Sequence, residues 1–204
     1  MKRDRLTYLN VRSKLKETRI STFTPALFRQ LFEVPPQQAK YFLETYAKKG
    51  LFLRLKQGLY AFLDRAPSEE ETANALYKPS YISFEYAMSR YGIIPETVYI
   101  ISCATTKPTR FFEVADIGYS YFKIKKEAYT GYRLHKNQLG ERSSYILMAE
   151  PEKALVDYLY FVTLGKKTLN DRLELGKLDK RKIERYAKLF QREKLLMLIK
   201  KIYD

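Results

Sequence analysis

Pro25, Pro35, Pro36, Gly50 and Gly58 cut the first 65 residues into pieces too short for anything but small helices and a hairpin. Thr24 is placed to cap a helix whose first position is Pro25, with Ala26, Leu27 and Leu31 on its apolar side. After the turn FEVP, another helix opens with Pro35 and Pro36 in its first turn and runs to about Lys49. Gly50 ends it as a left-handed residue would. Ahead of both, a basic helix is predicted over 4–17, with Leu6, Leu9 and, less regularly, Leu15 on one side. Residues 51–63, LFLRLKQGLYAFL, alternate loosely around Gly58 and read as a two-stranded hairpin. Helix, short helix, turn, helix and hairpin is the order of a winged helix-turn-helix.

The third helix separates its side chains by chemistry. Ala39, Phe42, Leu43, Tyr46 and Ala47 recur at helical spacing, which leaves Gln37, Gln38, Lys40, Tyr41, Glu44, Thr45 and Lys48 on the other face. Gln pairs bidentately with adenine, and Lys with guanine or phosphate, so this outer face has the chemistry of a DNA recognition helix. Gln37 and Gln38 lie near the N-terminus, the end that enters a major groove. Arg54, Lys56 and Gln57 sit at or just before the hairpin tip, where a wing meets the adjacent backbone or minor groove. The plainer alternative is a solvated amphipathic helix beside a hairpin tip that is polar for solubility.

Charge supports the first reading. The chain of 204 residues carries a formal net charge of +15, and its distribution is uneven. Residues 1–65 hold 14 basic and 5 acidic side chains, residues 66–165 hold 11 and 12, and residues 166–204 hold 13 and 6. A polyanion such as double-stranded DNA would thus be met first by the N-terminal segment. One Cys and one His exclude an internal disulfide and a Cys/His zinc cluster, so no metal or cofactor is expected. No apolar run approaches the roughly 20 residues a spanning helix needs, and the basic start has no signal-peptide core behind it. A cytoplasmic protein without a membrane partner is the expectation.

The polar stretch DRAPSEEE, 64–71, reads as a linker, with Ser68 placed to cap an acidic first turn. It divides the chain into a DNA-binding domain, 1–65, and a second domain, 66–204. The second domain is predicted to have helices at 69–77 and from Ser83 to Gly92, and strands at 98–106, 111–124 and 145–149. A further helix runs from Pro151 to Gly165, and a basic helical tail covers about 179–202. The fold class expected is α+β: a winged helix-turn-helix followed by a mixed α/β domain with a helical tail.

Catalysis finds no foothold. There is no GxGxxG, GxxxxGK[ST] or GxSxG, no acidic residue stands two before a lysine, and no motif surrounds His135 or Cys103. His135 reads as a surface loop residue and Cys103 as a buried strand residue. The segment GYSYFKI, 118–124, is a poor match to an RNA-stacking strand, and packing of its aromatics into a core is the simpler account. Lys180, Arg181, Lys182, Arg185 and Lys188 form either a polyanion-facing surface or a solvated face over Ile183, Tyr186, Leu189 and Phe190.

PSYISFEYAMSRYGIIPE, TTKPTRFFEVADIGYSYFKIKKEAYTGY and ILMAEPEKALVDYLY resemble, in order and approximate spacing, the motifs of the AbiEi-like antitoxin family of type IV toxin–antitoxin systems. KKGLFLRLKQGLYAF is similar to that family's winged-helix hairpin, and the likeness covers roughly residues 20 to 165. The resemblance implies a repressor that binds inverted repeats in its own promoter, and a second domain that counteracts a nucleotidyltransferase-like toxin. It carries base reading onto Gln37, Gln38, Lys40 and Tyr41, and the wing onto Arg54 and Lys56. It offers no catalytic motif, and leaves Lys107 and Arg110, which flank Pro108, to face a partner or to pair with an acid such as Glu113. Two other readings stay open: a plain winged-helix regulator whose second domain senses a ligand or dimerises, and a nucleic-acid enzyme. The oligomeric state is not legible.

Overall fold

The computed structural model describes residues 6–18, 20–139 and 142–203. The chain forms two compact units, Met1–Ser68 and Glu69–Asp204, and its fold class is mixed α and β.

In the first unit, helix α1 spans Tyr8–Glu17, α2 Pro25–Phe32 and α3 Pro36–Lys48, with strands β1 at Thr22–Phe23, β2 at Phe52–Lys56 and β3 at Leu59–Phe62. Thr7 and Thr24 cap α1 and α2 by accepting the N–H of Asn10 and Leu27. Glu33, in the left-handed region at φ 51°, ends α2 and turns the chain into α3. The core is aromatic: Phe28 packs on Phe23, Phe32, Phe42 and Phe52 with ring centroids 4.6 to 6.4 Å apart. Val11, Leu15, Ala39 and Leu43 complete it.

Two details depart from the sequence reading. Leu9 faces solvent at 70% exposure, because the buried side of α1 is set by Val11 and Leu15, four residues apart. The sheet has a third strand, in the order β1-β3-β2, since Thr22 and Phe23 pair with Ala61 and Tyr60. Two residues are too few to leave a periodic signal. The opening of the expected first helix, residues 4 and 5, lies outside the described residues. Arg12 and Lys16 of α1 reach Asp64 after β3, and the hydrogen bond from Arg12 holds the Asp64 carboxyl below its ordinary range.

The second unit is built on a six-stranded mixed sheet in the order β6-β7-β5-β4-β9-β8. These strands are β4 Ser80–Ile82, β5 Ile101–Thr105, β6 Arg110–Val114, β7 Ile117–Lys123, β8 Tyr132–Leu139 and β9 Arg142–Ala149. The helices are α4 Glu69–Leu76, α5 Phe84–Arg90, α6 Pro151–Thr163, α7 Lys180–Lys188 and α8 Glu193–Tyr203. Neighbouring residues of a strand face opposite ways, and β7 shows what lies on each side. Tyr121 donates its hydroxyl to the carbonyl of Ala73 on α4, while Phe122 packs edge-on against Phe84 of α5 and Phe161 of α6. Helix α4 thus covers one face, and α5 and α6 the other.

Several expected elements divide. The run 111–124 is two antiparallel strands, broken where Ala115 and Asp116 both take positive φ, 49° and 64°. The tail is two helices, interrupted at Gln191, φ 47°. Strands β4 and β8 were unforeseen, and β8 moves His135 from the expected loop into a strand. Cys103 is buried on β5. No helix among the described residues is long and apolar enough to cross a membrane.

Candidate nucleic-acid interface

Burial of Ala39, Phe42 and Leu43 fixes the rotation of α3, and the opposite face turns outward as a consequence. Gln37, Gln38, Lys40, Tyr41, Glu44 and Lys48 are exposed there, and Thr45 is half-buried. Tyr41 is 73% exposed and lies among these polar side chains. Lys49, one residue beyond the helix, lies over the ring of Tyr46 at 5.3 Å and adds a second cation at this end. Lys49 follows the last helical residue, so helical periodicity does not assign it to a face.

The hairpin closes tightly. Lys56 pairs with Leu59, which leaves Gln57 and Gly58 as the turn, and Gly58 takes φ +75°. Arg54 pairs with Tyr60, and the register slips between Arg54 and Lys56. Arg54 and Gln57 are exposed while Lys56 is half-buried, because Phe52 and Leu55 take the inward positions. The first unit therefore holds both groups of expected contacts on its surface.

The remaining polar residues singled out in the sequence are placed in the second unit. Lys107 and Arg110 stand at either end of the loop between β5 and β6, and both are exposed. Their partner is aromatic: the Lys107 ammonium and Arg110 guanidinium lie 5.5 and 5.8 Å from the centre of the Tyr77 ring. Tyr119 and Tyr121 of the RNA-motif-like segment are buried, so neither can stack on a base.

His135 Nε2 lies 2.9 Å from the hydroxyl of Tyr91. That hydroxyl spends its proton on the carbonyl of Ala149, 2.8 Å away, so Nε2 carries the hydrogen and donates. Burial, with Arg133 and Arg90 nearby, pushes the His135 pKa down, and the ring stays neutral in a satisfied strand position.

A second polar group is wholly buried. Lys153 and Asp157, one helical turn apart on α6, form an ion pair, and Tyr81 and Ser83 donate their hydroxyls to Asp157 Oδ2 at 3.0 and 2.7 Å. Both charged side chains are 0% exposed, so this group lies inside the core of the second unit. No set of three His, Cys, Asp or Glu that could hold a metal ion occurs among the described residues. No protein-family model matches the chain, and no curated protein matches it.

Proposed function

We propose that the first unit is a winged helix that binds duplex DNA, with α3 in the major groove and the β2–β3 hairpin as its wing. The observation that carries this reading is the outward face of α3, where Gln37, Gln38, Lys40, Tyr41 and Lys48 are all exposed in a segment, 1–65, that holds 14 basic and 5 acidic side chains. Gln side chains pair bidentately with adenine, and Lys side chains with guanine or phosphate, so this face has the groups that base reading needs. Arg54, Lys56 and Gln57 supply the wing.

Titration of the full-length chain against a duplex carrying the inverted repeats upstream of its own gene tests the assignment. Gln37→Ala or Gln38→Ala should cost about 1–3 kcal/mol on that duplex and much less on random DNA. Arg54→Gln should weaken both alike and lower the slope of log affinity against log salt by about 1. Unchanged affinity in the glutamine variants on both duplexes would remove α3 from the groove.

The second unit acts, on this reading, as the antitoxin part of a self-repressing operon, and the support is the resemblance of its sequence motifs to AbiEi-like antitoxins. Co-expression of the full-length chain with a neighbouring nucleotidyltransferase-like reading frame should restore growth. Failure to restore it would leave a winged-helix regulator whose second unit dimerises or senses a ligand.

A further inference from the structure

We infer that one basic corner of the second unit docks an acidic segment of a partner protein. This rests on reading that unit as a partner-binding domain, and it names the surface and the chemistry of the partner.

Three separate segments are stitched together at this corner. The Thr105 hydroxyl donates to the carbonyl of Pro79 at 2.7 Å and accepts the N–H of Lys107 at 3.2 Å. Thr109 accepts the N–H of Lys123 at 3.1 Å, and the Tyr77 hydroxyl donates to the carbonyl of Pro108 at 3.2 Å. The result brings Lys78, Lys107, Arg110 and Lys123 to one end of the sheet, all exposed. The contributing stretches 77–84, 105–112 and 119–126 contain no acidic residue. None of the four cations has an ion-pair partner among the described residues.

Like charges gathered without counter-charges repel one another, so the arrangement disfavours itself until an anion arrives. Two of the cations are also held in advance. Tyr77 lies under both Lys107 and Arg110, and Arg110 is in addition 5.6 Å from the centre of the Phe112 ring. Stacking of this kind restrains long side chains before binding and reduces the rotamer entropy lost on contact. It also orients the guanidinium fork, which suits a carboxylate.

The same features argue against nucleic acid. Single strands need open aromatic faces for their bases, whereas Tyr77 is already occupied by cations and Tyr121 is buried. Phe111 is exposed, but it follows Arg110 on β6 and so faces the other side of the sheet. Residues 66–165 as a whole hold 11 basic and 12 acidic side chains, so within that stretch the four cations are a local concentration of positive charge. A short run of Asp or Glu is what such a patch fits.

The test uses the full chain at ~0.15 M salt, where distant charges are screened, and a fluorescein-labelled oligoglutamate peptide as probe. The triple variant Lys107→Gln, Arg110→Gln and Lys123→Gln should lose roughly tenfold or more in affinity. A control triple that removes equal charge from α7, Lys180→Gln, Arg181→Gln and Lys188→Gln, should change it less than about twofold. Arg110→Lys alone, which keeps the charge and discards the fork, should fall between them. Equal losses in the two triples would reduce the corner to bulk charge and overturn the proposal. So would a corner-dependent loss seen with oligothymidine and not with the peptide. The titration needs no toxin, so it reads the corner independently of whether the co-expression assay restores growth.

Discussion

Replacing Gly131 with Ala should destabilise the second unit by about 2–4 kcal/mol, combining left-handed strain with overpacking. Gly131 has φ +74°, and a Cβ there would lie 2.7 and 2.8 Å from ring atoms of Tyr186 and 3.0 Å from Cγ of Lys153. Neither neighbour can move aside. The Tyr186 hydroxyl is committed to Glu150 at 2.9 Å, and Lys153 is fully buried in its ion pair. The backbone is fixed as well, because the Gly131 carbonyl accepts the N–H of Glu150 at 2.8 Å. Gly92 and Gly165 provide the control. Both take positive φ, 67° and 68°, with nothing within 4 Å of an added Cβ, so Ala there should cost only about 1–2 kcal/mol of backbone strain. Chemical denaturation followed through the second unit's transition compares the three. A Gly131→Ala loss no larger than that of Gly165→Ala would mean that α7 does not press on the turn before β8.

What could be read from the sequence depended on how far along the chain each cause acts. Caps and breakers act locally, so Thr24–Pro25, Pro36 and Gly50 placed α2 and α3 to within a residue or so. The outward set on α3 followed from periodicity alone, because one helix has only one face to bury. Strand partners act at long range and were the main loss. β8, with Arg133, His135 and Lys136 among polar neighbours, has almost no alternation and is a strand because β9 pairs with it from Tyr132 to Leu139. The basic corner was half visible. Lys107 and Arg110 stood out as flanking a proline, but Lys78 and Lys123 join them only through the order β6-β7-β5-β4, which no local pattern encodes. The single run expected over 111–124 hid a hairpin because its turn, Ala115–Asp116, lacks the glycine that usually marks paired positive φ angles.

The buried pair on α6 should show the largest difference between breaking and replacing an interaction. Lys153→Met removes the cation and strands Asp157 at 0% exposure, with only the Tyr81 and Ser83 hydroxyls to solvate it; loss of a buried partner costs about 3–5 kcal/mol. Asp157→Asn strands Lys153 instead, between the rings of Tyr81 and Phe190 at 5.6 and 5.0 Å. The double variant, Lys153→Met with Asp157→Asn, discards both charges yet keeps an oxygen to accept the two hydroxyls. It should therefore be more stable than either single variant. The pH dependence has a definite sign. Burial pushes the Asp157 carboxyl up, opposed first by Lys153 and then by the Ser83 and Tyr81 hydroxyls, and it pushes the Lys153 ammonium down, opposed by Asp157. In Lys153→Met the largest opposition is gone and only the two hydroxyls remain, so the balance shifts toward a protonated Asp157 in the folded state. A raised folded pKa gives stability that is full below the unfolded carboxylate value, near ~4, and is lost as pH rises through the folded value. The deficit of Lys153→Met relative to the double variant should consequently shrink as the pH is lowered from 7 toward 4. The comparison cancels the other carboxylates, which both variants share. A deficit that stays constant over this range would mean that Asp157 is not the group left uncompensated, and that Lys153 acts in the core through its aliphatic packing alone.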